Sequence, residues 1–179
     1  MNARALRFLP VALAAWLALA LAGCRRLPQP ATPAARVVRI LDGDTIEVLK
    51  DGRPVRVRLY GIDCPERGQA FGTVARRFTG DLAFSQNVIL RTHGTDRYGR
   101  LLADVILPDG RVLNQELVRA GLAWWYREYA PEARELAALE SEARAARRGL
   151  WADPHPIPPW EFRRSHGARS QASLRRDGR

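Results

Sequence analysis

From Val37 onward, apolar and polar positions alternate along the chain. VVRIL runs into Asp42-Gly43, TIEVL into Asp51-Gly52, and VRVRLYGI follows. A period of two marks strands with one buried face, and Asp-Gly between such runs marks tight turns. The pattern predicts a three-stranded meander. In its third strand Val55, Val57 and Leu59 share one face, and Arg56, Arg58 and Tyr60 share the other. Over residues 69 to 84, QAFGTVARRFTGDLAF, the period changes: Phe71, Val74, Ala75, Phe78 and Leu82 recur at helical spacing, with Gly80 as a weak point. NVILRTH and RLLADVILP read as fourth and fifth strands, joined by the charged, turn-rich loop GTDRYGR. VLNQELVRAGL predicts a short helix capped by Gly121. Residues 131 to 148 predict the strongest helix: Pro131 opens it, Leu136, Leu139 and Ala143 form its stripe, and arginines gather near its end.

The two ends follow other rules. Arg4 and Arg7 precede an apolar run from Phe8 to Ala22, which is short for a membrane span. It closes on Leu21-Ala22-Gly23-Cys24, which resembles a bacterial lipobox. A plain secretory signal or a short uncleaved anchor is the other reading. The expectation is a signal peptide over residues 1–23, a lipidated Cys24, and a Pro/Ala-rich tether over 24–36. The protein is then extracytoplasmic and held to the bacterial envelope. Arg25, in place of an aspartate after Cys24, leans towards the outer membrane in a cell that has two. At the other end, residues 153–179 read as a Pro-rich extension, DPHPIPPWEF, lying extended on the surface, followed by a basic disordered tail, RRSHGARSQASLRRDGR.

Composition sharpens this picture. The chain has 179 residues, room for one core with tails, and its 46% hydrophobic content excludes a wholly disordered protein. A net charge of +10 points to a polyanionic partner. Lys50 is the only lysine, so that charge is carried by guanidinium forks able to grip phosphate oxygens in pairs. With Cys24 assigned to lipid, Cys64 has no partner for a disulfide. Three scattered histidines and no CxxC argue against zinc. There is no internal repeat. The element order suits an α+β fold, a five-stranded OB-type barrel with about three helices. That fold does not by itself give a function.

The chemistry gathers in RLYGIDCPE, residues 58 to 66, where Arg58, Asp63, Cys64 and Glu66 fall within nine positions. A turn with solvated acids is the plain account; half of an active site is the other. DGDT at 42 to 45, RLYGIDCPE and TDRYGR at 95 to 100 together resemble the three signature segments of the staphylococcal nuclease-like (thermonuclease) family, in order and separation. The resemblance covers residues 37–152 and extends faintly into GLWADP and PPWEF.

The resemblance implies an OB barrel with calcium-dependent phosphodiesterase activity on DNA and RNA. Asp44 and Asp63 would ligate Ca²⁺, joined by the backbone carbonyl of Cys64, where the family usually has threonine. A thiolate is too soft to serve calcium, so Cys64 would lend only its carbonyl. Glu66 would act as general base or orient the attacking water, and Arg58 and Arg100 would hold the phosphate. Arg97, Tyr98 and Tyr126 would contact the nucleotide, while Trp124 in WWYREY is assigned to the core. The loop after Glu66 is shorter than in the best-known secreted member.

The resulting expectation is a largely sequence-nonspecific nuclease that needs Ca²⁺, leaves 3′-phosphates and prefers single-stranded DNA or RNA. It would be a membrane-tethered monomer without a protein partner. The rival is a non-catalytic OB-fold module that holds nucleic acid at the envelope. A structural envelope lipoprotein that uses its charge on anionic polymer is the third reading.

Overall fold

The computed structural model describes residues 35–166. The expectations for the signal segment, the lipidated Cys24, the start of the tether and the distal tail fall outside the described residues.

The expected meander is present as β1 (Ala35–Asp42), β2 (Thr45–Lys50) and β3 (Arg53–Leu59). A two-residue strand, β4 (Ile62–Asp63), leads to α1 (Gly72–Ala83). Then come β5 (Asn87–Thr95), β6 (Leu101–Ile106), α2 (Leu113–Arg119), β7 (Trp124–Trp125), α3 (Arg134–Ala145) and a 3₁₀ turn over Gly149–Ala152. A last helix, α4, occupies residues 159–166. Five strands close into a barrel in the order β1-β2-β3-β6-β5, with β3 and β6 parallel and β1 meeting β5. This is the five-stranded OB-type α+β architecture.

The alternation seen in the sequence is why the barrel has an inside. Val37, Ile46, Val48, Val57, Leu59, Val88 and Val105 are all buried within it, while Arg56 on the opposite face of β3 is exposed. Buried polar groups are placed where they tie elements together. Asn114 of α2, 1% exposed, accepts from the Val105 amide and donates to the carbonyls of Tyr60 and Ala103. It thereby locks α2 across the end of β3 and the middle of β6. Glu140 of α3 accepts from the Trp125 amide and fixes α3 to β7. An apolar residue at either position would leave buried backbone groups unpaired.

The described residues form four helices, in keeping with the expected barrel and its few helices. Two expectations are corrected. The Pro-rich extension does not stay extended: residues 159–166 are helical, so the first part of the expected disordered tail is ordered structure. Proline at the first turn of a helix loses no hydrogen bond that the helix would have made, so Pro159 starts α4. Finally, α3 begins at Arg134, three residues after Pro131.

Candidate active site

The barrel places Asp44 and Arg58 side by side. Thr45 is the register partner of Arg58, and the Leu59 amide donates to the Asp44 carbonyl at 2.9 Å. Asp63 is brought in by the short β4–β7 ladder, in which Asp63 pairs with Trp124 and Ile62 with Trp125. Arg58 then bridges the two acids: Nη1 lies 2.9 Å from Asp44 Oδ2 and Nη2 lies 2.7 Å from Asp63 Oδ1. Asp44 also accepts from the Cys64 amide at 2.6 Å and from the Thr45 hydroxyl at 3.1 Å.

Asp44 stands in a tight turn, and Gly43 explains how the chain fits there. A Cβ on Gly43 would lie 2.9 Å from the Cβ atoms of both Ala75 and Cys64. The glycine is needed for this close approach of the turn to α1 and β4. Gly72 plays the same part under Glu66, where a Cβ would lie 2.1 Å from the Glu66 carbonyl oxygen. The backbone of Glu66 thus rests on the first turn of α1, and its amide donates to Gln69 Oε1 at 3.0 Å.

These groups line one cleft of about 810 Å³ that also reaches Asp42, Arg97, Tyr98, Arg100 and Tyr126. Arg100 is tethered through its Nε, and its terminal nitrogens have no hydrogen-bond partner among the described residues. Its Nε donates to Asp96 Oδ2 at 2.7 Å, and its guanidinium lies 5.5 Å from the centre of the Tyr98 ring. Arg97 also sits over the Tyr98 ring, at 4.9 Å from its centre. Trp124 is buried and meets Trp151 edge-on, with the Arg144 guanidinium over both rings. The structure therefore gathers Asp44, Arg58, Asp63, Cys64 and Glu66 at one end of the cleft. It places Arg97, Tyr98 and Arg100 on the loop at its rim.

Electrostatics follow from burial. Removal from water pushes the Asp63 carboxyl above the usual carboxylate range, against the pull of Arg163 and Arg58. Burial alone would discharge Arg58, but Asp44 and Asp63 outweigh it and hold the guanidinium charged. Asp42, half-buried, is raised by desolvation and by the neighbouring charges of Asp44 and Glu66, against the hydrogen bond from Gly43. Burial also raises the Cys64 thiol well above its ordinary value. It stays protonated and fills space beside Gly43, so a soft thiolate ligand is excluded.

Among the described residues, no three His, Cys, Asp or Glu side chains converge to hold a metal by themselves. What does converge is a pair of carboxylates, Asp44 and Asp63, whose oxygens face the same cationic point, beside the Cys64 backbone. Two hard carboxylates completed by backbone oxygen and water suit calcium, which tolerates irregular oxygen shells.

Among the cleft residues given no role by the sequence are Asp42, Trp160 and Arg163. Asp42 entered only as a turn residue and the first position of DGDT. Trp160 of α4 stacks on Tyr126 with ring centres 5.1 Å apart and planes 8° from parallel. Arg163 of α4 donates Nη2 to Asp63 Oδ2 at 2.8 Å and Nη1 to Glu66 Oε1 at 2.5 Å. The available signal was the three-residue spacing of Trp160 and Arg163 after two prolines, which puts both on one face of a short helix.

Comparison with known proteins covers part of this site, including Arg58, Asp63, Glu66 and Arg100. Residues 56–153 match the family described as staphylococcal nuclease homologue. A protein of Shigella flexneri named micrococcal nuclease is 45% identical over 165 residues, covering 86% of this chain and 95% of that one. Protein ParB of Escherichia coli is 46% identical over 142 residues, covering 74% of this chain and 80% of its own length. A protein of Escherichia coli O157:H7 named as an uncharacterized endonuclease is 46% identical over 128 residues, 72% of this chain and 83% of that one.

Proposed function

The chain belongs to the staphylococcal nuclease homologue family, and from that membership we propose that it is a calcium-dependent nuclease acting on DNA and RNA with little regard for sequence. The observation that carries the reading is the convergence of Asp44, Arg58, Asp63 and Glu66 at one end of a cleft rimmed by arginine and tyrosine. Such a cleft can take an extended strand more readily than a duplex, because bases must be splayed to lie on aromatic rings. Tyr98, 68% exposed between Arg97 and Arg100, offers a ring and two cations for one nucleotide. Tyr126 offers a second ring near Asp63.

Calcium, held by Asp44, Asp63 and the Cys64 carbonyl, would supply positive charge against the scissile phosphate. The remaining work belongs to the chain. Glu66 takes a proton from a water aligned with phosphorus. Arg58 and Arg100 donate to the equatorial oxygens as negative charge builds on them. The P–O5′ bond breaks, the 5′ oxygen leaves as an alkoxide that takes a proton from solvent, Glu66 returns its own proton to solvent, and the phosphate stays on the 3′ side. Arg58 reaches this role already aligned, because both of its terminal nitrogens are held by Asp44 and Asp63. We also propose that the protein works outside the cytoplasm on a lipid at Cys24, on the support of the apolar run and the Leu-Ala-Gly-Cys ending.

Purified protein with calcium is expected to digest single-stranded DNA or RNA to 3′-phosphate ends, and a chelator is expected to stop it. Protein that leaves every nucleic acid uncut in calcium refutes the proposal. Glu66→Gln is expected to lose at least about a hundredfold in rate while retaining binding. A binding module would have no cutting to lose.

A further inference from the structure

Among the described residues two arginines pair with the acid cluster, Arg58 and Arg163, and the reaction just described gives Arg163 no part. This arginine lies ten residues past the end of the family match at residue 153. It nevertheless reaches the centre of the site. Its Nη2 lies 2.8 Å from Asp63 Oδ2, and its Nη1 lies 2.5 Å from Glu66 Oε1 and 3.3 Å from Asp63 Oδ1. The Asp63 side chain is 1% exposed, so this is a deep contact at its carboxylate end. The Arg163 side chain is itself 43% exposed, with a solvent path for leaving.

The helix that carries it is separately anchored. Trp160 stacks on Tyr126 and meets Trp124 edge-on at 5.7 Å. Upstream of the helix, Gln69 Nε2 donates to the Ile157 carbonyl at 2.6 Å. Arg163 can therefore release its carboxylates by rotating its side chain, with α4 still in place.

A guanidinium lying across two carboxylates does for them what a divalent cation would do: it neutralises them and occupies their oxygens. Arg58 already takes Asp63 Oδ1, so Oδ2 is the oxygen left for a metal, and Arg163 holds it. We infer that Arg163 is a resident counter-ion of the Asp63–Glu66 pair and that calcium binds by displacing it, so that the site is closed by its own chain until the cation arrives. The inference rests on the calcium reading above. Displacement frees Glu66 to accept a proton. It also leaves the Arg163 fork beside Arg164 on the cleft wall, where a substrate phosphate is the next available anion.

The test is calcium binding to the full chain by isothermal titration calorimetry, without nucleic acid. Arg163→Gln is expected to bind calcium about tenfold or more tightly than the natural protein, the size of a lost charge-assisted hydrogen bond to a buried carboxylate. Arg164→Gln removes the same charge one residue further on, from an arginine with no carboxylate partner among the described residues. It is expected to change the affinity far less. Unchanged or weaker binding by Arg163→Gln, or equal gains in both variants, overturns the exchange while leaving the calcium site standing. No binding by any of the three proteins overturns both. Should Arg163→Gln fail to fold, nuclear magnetic resonance of the natural protein decides. Slow rotation of the Arg163 guanidinium without calcium and fast rotation with it are expected. A guanidinium whose rotation calcium leaves unchanged refutes the displacement.

Discussion

Replacing Arg58 by methionine would isolate the charge at the middle of the acid cluster, because methionine keeps most of the length and volume of the stem. Arg58 is 13% exposed at its side chain, and its partners Asp44 and Asp63 are 9% and 1% exposed. Removing one partner of a buried ion pair costs about 3–5 kcal/mol, because the other charge is left in a poor medium. Here the lower end applies. Asp63 keeps Arg163, and Asp44 keeps the Cys64 amide and the Thr45 hydroxyl. A loss of about 3 kcal/mol in a domain of this size lowers the melting temperature by roughly 10 °C.

The pH dependence separates this cause from simple packing damage. The Asp63 carboxyl already sits above its ordinary range, chiefly through burial. A group raised in the folded state contributes stability that is full below its unfolded value and is lost as pH rises through the folded value. Taking away Arg58 raises Asp63 further, so the variant's deficit opens above the usual aspartate range near 4 and grows towards neutrality. Urea denaturation with chelator present, at pH 5 and pH 8, is the assay. The deficit is expected to be larger at pH 8. A deficit below about 1 kcal/mol at pH 8, or one equal at both pH values, would refute the claim that Arg58 is held as a buried counter-charge.

Two further outcomes are expected. Gly43→Ala puts a methyl 2.9 Å from the Cβ atoms of Ala75 and Cys64, so about 1–3 kcal/mol of stability should be lost to overpacking; unchanged denaturation would show that the turn can move away freely. Desolvation is the largest single influence on the Asp96 carboxyl and raises it, but the Arg100 amide, the Arg100 guanidinium and the Tyr98 amide together outweigh it and hold the group below the ordinary range. Its contribution to stability is present above the unfolded value and is lost as pH falls through the lowered folded one. Carbon-13 titration of the side chain should therefore give a midpoint below the ordinary aspartate value, and a midpoint at or above it would mean the loop does not hold Arg100 as described.

Much of the architecture was legible because the barrel strands obey a simple period. Val57 and Leu59 alternate with Arg56 and Arg58, and the inside of the barrel follows. The three segments carrying Asp44, Asp63 and Arg100 were legible through resemblance, since no periodicity points to them. What escaped detection had physical reasons. The strands β4 and β7 have two residues each, too few for a period to show. Gly43 was read as a turn glycine, yet its value is the lack of a methyl against Cys64 and Ala75. The prolines of DPHPIPPWEF pointed to an extended segment, although proline breaks a helix only from inside it and can begin one. Hence Trp160 and Arg163 were assigned to a surface extension and a tail, and the arginine touching the acids went unseen.

The spacing of the acid cluster's contacts also sets a schedule for synthesis. Arg58 and Asp63 are five residues apart, and Asp44 and Cys64 are 20 apart. These contacts become possible while the ribosome is still early in the chain. Asp63 and Arg163 are 100 residues apart, so the last cation is delivered after every strand of the barrel. The entropy of closing so long a span grows only with the logarithm of its length, so the delay concerns timing more than final stability. A nascent chain therefore passes through an interval in which its barrel segments are complete and its carboxylates are one positive charge short. During that interval it offers cations and chaperones a more negative surface than the finished protein does.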